Sequence, residues 1–353
     1  MTSRAERPVP LDQRAQAILR AVIEEYIETA SPVGSHALVE RRRLAVSPAT
    51  VRNVMAELEQ QGYLSHPHTS AGRVPTDAGY RLYVEAMADR VDLAPVEQLM
   101  IRHQFGQVEF ASEQWFRLAA AILAGATRNA GLATPAKPRA CRVRRIDLVL
   151  NSSRMASLVL VLAEGSVKQG LLPLDEQIGQ EQLDEIAQRL NEELAGASAR
   201  QVAQRLDGLR AAPGLPPLLH MAGVRIERMM REFDAAAVED VFSDGLLNVL
   251  AAPEFAHSEK LRRIFGVLQN REYLGRLLER VAGQPDVQVL IGSDTGQREM
   301  QDVSLVLAGY GRPGRAMGVV GVLGPTRMAY PQAIGSVRYV SGLMNELVEQ
   351  LYR

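Results

Sequence analysis

The sequence contains a single cysteine, Cys141, among its 353 residues. One thiol cannot form an internal disulfide, and it cannot supply a structural zinc site built from several thiolates. Apolar runs are also short: the longest, such as 118–124 and 158–163, fall well below the ~18 residues that a membrane-spanning helix needs. The first residues lack the apolar stretch of a secretory signal. These absences favour a cytoplasmic protein with no membrane partner.

The sequence also lacks an excess of charge of one sign, since 40 basic and 41 acidic residues leave a net charge of -1. Overall charge therefore does not indicate a nucleic-acid partner. Residues 41–81 are locally basic, with six arginines against three acidic residues. Arginine suits phosphate contacts, but the base composition of a genome explains a high arginine content equally well. A hydrophobic fraction of 46% predicts a folded protein, and the length suggests two or three domains at about 150 residues each.

The beginning of the chain predicts three helices. Apolar residues at helical spacing predict the first over 11–29, with Asp12 as its N-cap. A short helix follows over 35–42. Ser47 and Pro48 are typical of the start of a third helix, because serine caps the first turn and proline suits the first helical position.

A ribbon follows the three helices. Gly62 marks the end of the third helix. Residues 63–75 predict two short strands joined by a polar turn, and Thr76 can cap one more helix. The order helix, helix, helix, ribbon, helix predicts a winged helix-turn-helix over residues 1–90. A three-helix subdomain with a solvated polar face remains the alternative.

In a winged helix-turn-helix the third helix enters the major groove. A helical wheel at about 100° per residue predicts a buried stripe, formed by Val51, Val54, Met55 and Leu58. The opposite face is predicted to read DNA, and it carries Ala49, Arg52, Asn53, Ala56 and Gln60. Arginine, asparagine and glutamine form bidentate contacts with guanine or adenine, and alanine permits close approach to a thymine methyl group.

Further residues are candidates for phosphate contacts. Ser47 and Thr50 lie at the open N-terminus of the third helix, which suits an anion. The other candidates lie in the turn before that helix and in the ribbon: Arg41, Arg42, Arg43, His68, Thr69, Ser70 and Arg73. For the three consecutive arginines, a solvated charged run is an equally good interpretation.

The predicted secondary structure changes several times over the remainder of the chain. Strands are predicted between 146 and 172, a mostly helical stretch over about 198–283, and strands again between 287 and 323. This order predicts one α+β domain, built from 141–197 and 284–353, that a helical insertion interrupts. Residues 91–140 are predicted to form a helical linker region.

No pattern of catalytic residues is present. Residues 309–314 match G-x-G-x-x-G, but a strand is predicted to follow them where a dinucleotide site requires a helix. His66 and His68 lack a third metal ligand nearby, and surface loop histidines are the simpler interpretation. We therefore expect no cofactor, no metal and no enzymatic activity.

Four segments carry a resemblance to a known family. They read SPVGS over 31–35, SPATVRN over 47–53, LEQQGYL over 58–64 and TSAGRVPTDAGYR over 69–81. Together they resemble the bacterial heat-inducible transcription repressor HrcA family. The match is close over 11–87 and looser beyond it, where 241–255 and 318–346 look like family landmarks.

The resemblance implies an architecture and a function. It implies a winged helix followed by a GAF-like domain, which carries an inserted dimerisation domain at about 198–283. It implies a homodimer that binds double-stranded DNA at an inverted-repeat operator upstream of chaperonin and Hsp70-type chaperone operons. The chaperonin is implied to keep the repressor active, and heat stress to release it from DNA.

Two other interpretations remain open. The GAF-like domain of a metabolite-sensing repressor holds a small effector, and the strands over 145–175 and 287–323 would then frame the pocket. Alternatively, the chain is an enzyme whose winged helix only binds protein, although no catalytic constellation supports that interpretation.

Overall fold

The structure, a computed structural model, describes residues 11–67, 72–86, 92–108, 112–136, 140–163, 165–210, 216–236, 241–255, 273, 280–281, 284, 286–311 and 317–351. Helices and antiparallel sheets are both present, in agreement with the predicted α+β class. The described residues form two compact units. The first comprises those of Met1–Pro135, Val241–Tyr310 and Gly318–Arg353, and the second those of Ala136–Asp240 with Gly311–Met317.

Helices and strands are interspersed along the described chain. The helices are α1 (Gln13–Thr29), α2 (Ser35–Arg42), α3 (Pro48–Gln60), α4 (Asp77–Glu85), α5 (Pro95–Gly106), α6 (Ser112–Thr127), α7 (Gln180–Leu194), α8 (Ala199–Arg210), α9 (Pro217–Ala236), α10 (Leu246–Leu250) and α11 (Tyr330–Leu351). The strands are β1 (Leu64–Ser65), β2 (Val74–Pro75), β3 (Ala130–Ala133), β4 (Val143–Ser152), β5 (Met155–Leu162), β6 (Val167–Pro173), β7 (Phe242–Asp244), β8 (Gln288–Ile291), β9 (Val303–Gly311) and β10 (Met317–Pro325).

The N-terminal segment has the predicted order of elements and the predicted caps. The Asp12 carboxylate accepts a hydrogen bond from the Ala15 amide at 2.6 Å. The Ser47 hydroxyl accepts from the Thr50 amide, and the Thr76 hydroxyl from the Gly79 amide, each at 3.2 Å. Each cap satisfies an amide that the first turn leaves unpaired.

The ribbon is tied back to the start of α2. Val33 donates its amide hydrogen to the Arg73 carbonyl at 2.8 Å and accepts from the Arg73 amide at 2.9 Å. Gly72 permits this approach, because a β-carbon at that position would lie 2.4 Å from the Val33 carbonyl group. A two-strand ribbon with its glycine thus closes over the helices, whose apolar faces form the core of the segment.

A five-stranded sheet forms the centre of the first unit. Its strand order is β7-β3-β10-β9-β8. β9 and β10 lie in the middle and are almost entirely buried, which agrees with their nearly continuous apolar sequences. α6 packs against β3 and β7 and also contacts α11.

The second unit contains a separate sheet. Its strands pair antiparallel in the order β4-β5-β6. Alternate residues of β5 are buried, and they share a core with the apolar faces of α7, α8 and α9. The sheet is therefore half-buried, with one face against three helices.

The strand pairing differs from the predicted grouping in which 141–197 and 284–353 form one domain. β4, β5 and β6 pair with each other, and the C-terminal strands pair with β3 and β7. Helices α8 and α9, predicted to belong to the insertion, share the core of the β4–β6 sheet. Periodicity identifies strands but does not identify their partners. Most of the predicted insertion after 255 lies outside the described residues.

Candidate nucleic-acid interface

Helix α3 is held by one apolar stripe. Val51, Met55 and Leu58 are buried against the neighbouring helices, as the helical wheel predicts. Val54 was predicted to belong to the buried stripe, but its side chain is only partly buried. A position at the edge of a stripe lies near the helix surface, and a wheel drawn from one helix does not show how far its neighbours extend.

The face opposite that stripe is accessible. Ala49, Arg52, Asn53 and Gln60 are exposed, whereas Ala56 is half-buried. Within the described part of the chain, the side chains of Arg52 and Asn53 make neither a hydrogen bond nor an ion pair. Their donors and acceptors are therefore available to an external partner. The alanines leave room for that partner to approach the helix.

The N-terminus of α3 supplies a further polar group. The Ser47 hydroxyl lies 2.9 Å from the Thr50 hydroxyl, so the two predicted phosphate contacts are neighbours. Ser47 is exposed and Thr50 is half-buried. Pro48 has no amide hydrogen, and the Thr50 and Val51 amides both bind Ser47, so the Ala49 amide is the first-turn donor left to an anion beside these hydroxyls.

Two of the predicted phosphate-binding arginines have an internal partner. Glu25 on α1 is 4% exposed, and its carboxylate binds Arg41 at 2.7 Å and Arg42 at 3.1 Å. Arg42 also lies 2.9 Å from Glu28. A buried carboxylate requires compensation by charge or hydrogen bonds, so these arginines tie α2 to α1. Neither the phosphate interpretation nor the solvated run anticipated that role.

The other basic candidates differ among themselves. Arg43 ends α2 with a left-handed backbone and is exposed. Arg73 is largely buried and its guanidinium binds Glu59 at 2.8 Å, so a phosphate would have to compete with that carboxylate. The predicted contacts His68, Thr69 and Ser70 lie outside the described residues.

Sequence reasoning missed the acidic partners. Glu25 continues the stripe of Ile18 and Val22 at helical spacing, and a glutamate in an apolar stripe, followed later by an arginine run, is a signal for a buried ion pair. Asp77 and Arg81 on α4 were also missed as contact residues. They bind the turn at 292–295, which lies more than two hundred positions along the chain, and no local pattern predicts a contact over such a distance.

The tyrosines of α4 carry no charge in this interface. Burial raises the pKa of Tyr80, and it raises the pKa of Tyr83 to about 12. Both phenols are therefore neutral near pH 7. The electrostatic field of the segment arises from its arginines and carboxylates.

The described parts of the chain contain neither a helix able to span a membrane nor a cluster of metal-binding side chains. No helix there combines the length and apolarity needed to cross a bilayer. The same residues contain no group of three or more metal-binding side chains.

Known proteins resemble this chain over almost its whole length. A family model described as "HrcA protein C terminal domain" matches residues 113–334. The heat-inducible transcription repressor HrcA of Roseiflexus castenholzii is 45% identical, covering 97% of this chain and 96% of its own. The protein of the same name from Herpetosiphon aurantiacus is 44% identical with the same coverage, and that from Chloroflexus aurantiacus is 42% identical, with 97% and 95% covered.

A solved structure supports the fold. The crystal structure of a hypothetical protein at 2.2 Å resolution aligns with a TM-score of 0.61 at 23% identity, covering 97% of this chain and 100% of the other. The relatives are named as repressors, which is a non-enzymatic role, in agreement with the prediction that this chain is not an enzyme. On these similarities, the chain belongs to the heat-inducible transcription repressor HrcA family.

Proposed function

We propose that this chain represses transcription in the cytoplasm by binding, as a homodimer, an inverted-repeat operator upstream of chaperonin and Hsp70-type chaperone operons. The N-terminal segment acts as a winged helix-turn-helix, with α3 in the major groove. The observation that carries the proposal is the accessible face of α3, where Arg52 and Asn53 have no partner among the described residues.

The chemistry of that face suits base edges. Arg52 forms a bidentate contact with guanine, and Asn53 or Gln60 with adenine. Ala49 and Ala56 allow the close approach that such contacts need. Ser47, Thr50 and Arg43 contact phosphates that fix the register.

The other basic residues contribute differently. Arg41 and Arg42 chiefly hold α2 on α1, because both bind the buried Glu25. Arg73 contacts a backbone phosphate only if it releases Glu59. His68, Thr69 and Ser70 complete the ribbon contact to the DNA backbone.

The rest of the chain serves dimerisation and control. We place the GAF-like domain around the five-stranded sheet, and the dimerisation domain in the unit formed by 136–240. The second placement is supported by an apolar outer sheet face, where Val149, Val167 and Leu171 are each about half exposed or more. Such a surface is typical of a protein interface.

Repression is controlled through the stability of the folded repressor. The chaperonin keeps the repressor folded, and heat-stressed clients compete for the chaperonin. Native proteins are stable by only about 5–15 kcal/mol, so a partner that favours the folded form changes the active fraction many-fold. If refolded repressor binds its operator equally well with and without chaperonin, from cool to heat-shock temperature, this control is refuted.

The first test measures binding by fluorescence anisotropy on a labelled inverted-repeat duplex and on a scrambled duplex at two salt concentrations. Arg52→Ala and Asn53→Ala are each expected to cost about 1–3 kcal/mol and to relax base preference. Unchanged affinity in both variants contradicts the assignment of α3 as the reading helix.

Arg20→Ala is the matched control. Arg20 is an exposed arginine of α1 that binds Glu24. Its replacement by alanine changes the net charge by the same amount as Arg52→Ala but leaves α3 unchanged. The affinity of this variant for the inverted repeat should stay near that of the wild type.

One result for the wild-type protein would refute the specific operator. If it binds the inverted-repeat and scrambled duplexes equally weakly, and salt abolishes both, then only electrostatic attraction to the DNA backbone remains.

A metabolite-sensing repressor is the second candidate. The 145–175 and 287–323 strands that were expected to frame the effector pocket belong to different sheets. A cleft of about 320 Å³ does lie beside β8, lined by residues that include Arg81, Val289, Ile291 and Arg338. Specific thermal stabilisation by one metabolite in a screen would favour this candidate.

A further inference from the structure

Helix α4 of the N-terminal segment is bound to a turn that follows β8. The Asp77 carboxylate accepts hydrogen bonds from the Ser293 amide at 3.0 Å and from the Ser293 hydroxyl at 2.9 Å. Arg81 donates from Nε to both carboxylate oxygens of Asp294, at 3.1 and 2.9 Å. Its terminal nitrogen also reaches the Ser293 hydroxyl at 3.3 Å. One carboxylate and one guanidinium thus engage the same short turn.

The turn is shaped to receive these side chains. Gly292 has a φ of 47°, and a β-carbon there would lie 2.6 Å from an Asp77 oxygen. Asp294 also accepts from the Ile291 amide at 3.2 Å, which ties the turn to the end of β8. The contact therefore joins α4 to the edge of the central sheet through groups that are already fixed.

A second contact holds the same segment at a different point. The guanidinium of Arg327, which lies between β10 and α11, binds both oxygens of Glu254. Its remaining nitrogen donates to the Ile27 carbonyl near the end of α1, at 3.2 Å. A single contact permits rotation about itself, whereas contacts at both α1 and α4 oppose rotation.

We propose that Asp77 and Arg81 are positioning residues that hold the DNA-reading segment in one orientation on the central sheet, so that the dimer selects operators by the spacing of their half-sites. This inference rests on the proposed function, a homodimer on an inverted repeat. The residues act through α3 and do not touch DNA themselves.

The physical reason is that a DNA-reading segment held rigidly on the dimer tolerates fewer half-site spacings than a segment on a flexible tether. We call the DNA-reading segment of each protomer its head. Two heads fixed on a dimer match half-sites only at one separation and one rotation, about one helical turn of 34–36 Å or its multiples. Heads that pivot freely adapt to other separations, because a flexible tether changes effective concentration only gradually with distance. Releasing the contact should therefore weaken binding to the correct repeat and reduce discrimination against an incorrect one.

The experiment uses the full-length protein and three duplexes. The first is the inverted repeat that the wild type binds, the second has roughly 5 extra base pairs, half a helical turn, between its half-sites, and the third carries a single half-site. The measured quantity is the ratio of affinities for the first two duplexes. Arg81→Ala is expected to lower this ratio by about tenfold, with unchanged affinity for the single half-site. Ser293→Ala is expected to lower it by a smaller factor, because the Ser293 amide and Asp294 still bind Asp77 and Arg81.

Arg102→Ala is the matched control. Arg102 forms an exposed pair with Glu346 that does not involve the N-terminal segment, so its variant should keep the wild-type ratio. Ser293→Ala removes one hydroxyl and keeps the comparison available if Arg81→Ala fails to fold.

Two outcomes overturn the inference while leaving the repressor intact. One is a wild-type ratio in both variants. The other is tighter binding of the correct repeat by the variants, which would mean that the contact holds the heads away from DNA. A wild type that binds the single half-site as well as any repeat refutes the dimeric operator itself, and the spacing inference with it.

Discussion

Tyr80 and Tyr330 lie in contact, with ring centroids 5.7 Å apart, but their hydroxyl groups have different surroundings. The Tyr330 hydroxyl lies 2.9 Å from the Ser304 hydroxyl and donates to the Thr326 carbonyl at 2.7 Å. The Tyr80 hydroxyl is buried without a hydrogen-bond partner in the described residues. A buried polar group without a partner reduces stability.

This contrast predicts opposite results for the same substitution. Tyr330→Phe should lower the free energy of unfolding by about 1–3 kcal/mol, because it leaves Ser304 without its partner. Tyr80→Phe should leave stability unchanged or raise it. Both are measured by urea unfolding at pH 7, where burial, which raises the pKa of each phenol, keeps both neutral. An equal loss in the two variants contradicts the assignment of hydrogen bonds.

At the residue scale, sequence alone predicted the features that depend on near neighbours. The caps Asp12, Ser47 and Thr76 act within three positions, and all three were predicted. The pairing of Arg41 and Arg42 with Glu25 was not, because it depends on how α1 and α2 cross. Which arginines remain available to DNA could therefore not be predicted from charge.

At the scale of elements, α7 protects the free edge of β4 with two side-chain amides. Asn191 accepts from the Ile146 amide at 2.9 Å and donates to the Ile146 carbonyl at 2.7 Å. Gln180 accepts from the Leu150 amide and donates to the Leu148 carbonyl, at 2.8 and 2.9 Å. These amides occupy the positions that another strand would use, and an unprotected edge favours aggregation.

Removal of one amide should expose that edge. Asn191→Ala is expected to lower the free energy of unfolding by about 2 kcal/mol, since it leaves a strand N–H and carbonyl unpaired. Light scattering at raised concentration should also show aggregation. The control is Gln188→Ala on the same helix, which loses only an exposed bond to Glu192. If the two variants unfold and aggregate alike, the amides do not protect the edge.

At the scale of the whole molecule, two large apolar cores formed by described residues have no residue in common. One contains Leu148 among the residues packed between the β4–β6 sheet and α7–α9. The other contains Leu305 in the centre of the five-stranded sheet. Cores that share no residues can unfold in separate steps.

Calorimetry can distinguish these steps. Leu148→Ala and Leu305→Ala each remove the same group from a buried strand position and should each cost about 2–5 kcal/mol. We expect two unfolding transitions. Leu148→Ala should lower the midpoint temperature of one, and Leu305→Ala that of the other. One cooperative transition that both variants lower equally would show that the cores unfold together.

The sequence predicted strands such as β5 and β9 but not their division between two sheets. The prediction of a helical region over 91–140 was wrong at β3, whose Ala130 and Leu132 lie in the core of the five-stranded sheet. β5 and β9 both have the sequence of an apolar strand. Such a sequence does not identify the sheet to which the strand belongs. The long connection from β3 to β7 returns the chain to the first sheet. Such a return is decided by packing of the whole chain and not by any local pattern.

The backbone bridge between Val33 and Arg73 pins together the two ends of the segment that holds α2, α3 and the ribbon. Opening of the ribbon at Arg73 also frees the chain at the start of α2. Local unfolding therefore involves these elements as one cooperative group. For the proposed repressor we therefore expect that thermal opening of this bridge removes the base contacts of α3 and the backbone contacts of the ribbon in a single event.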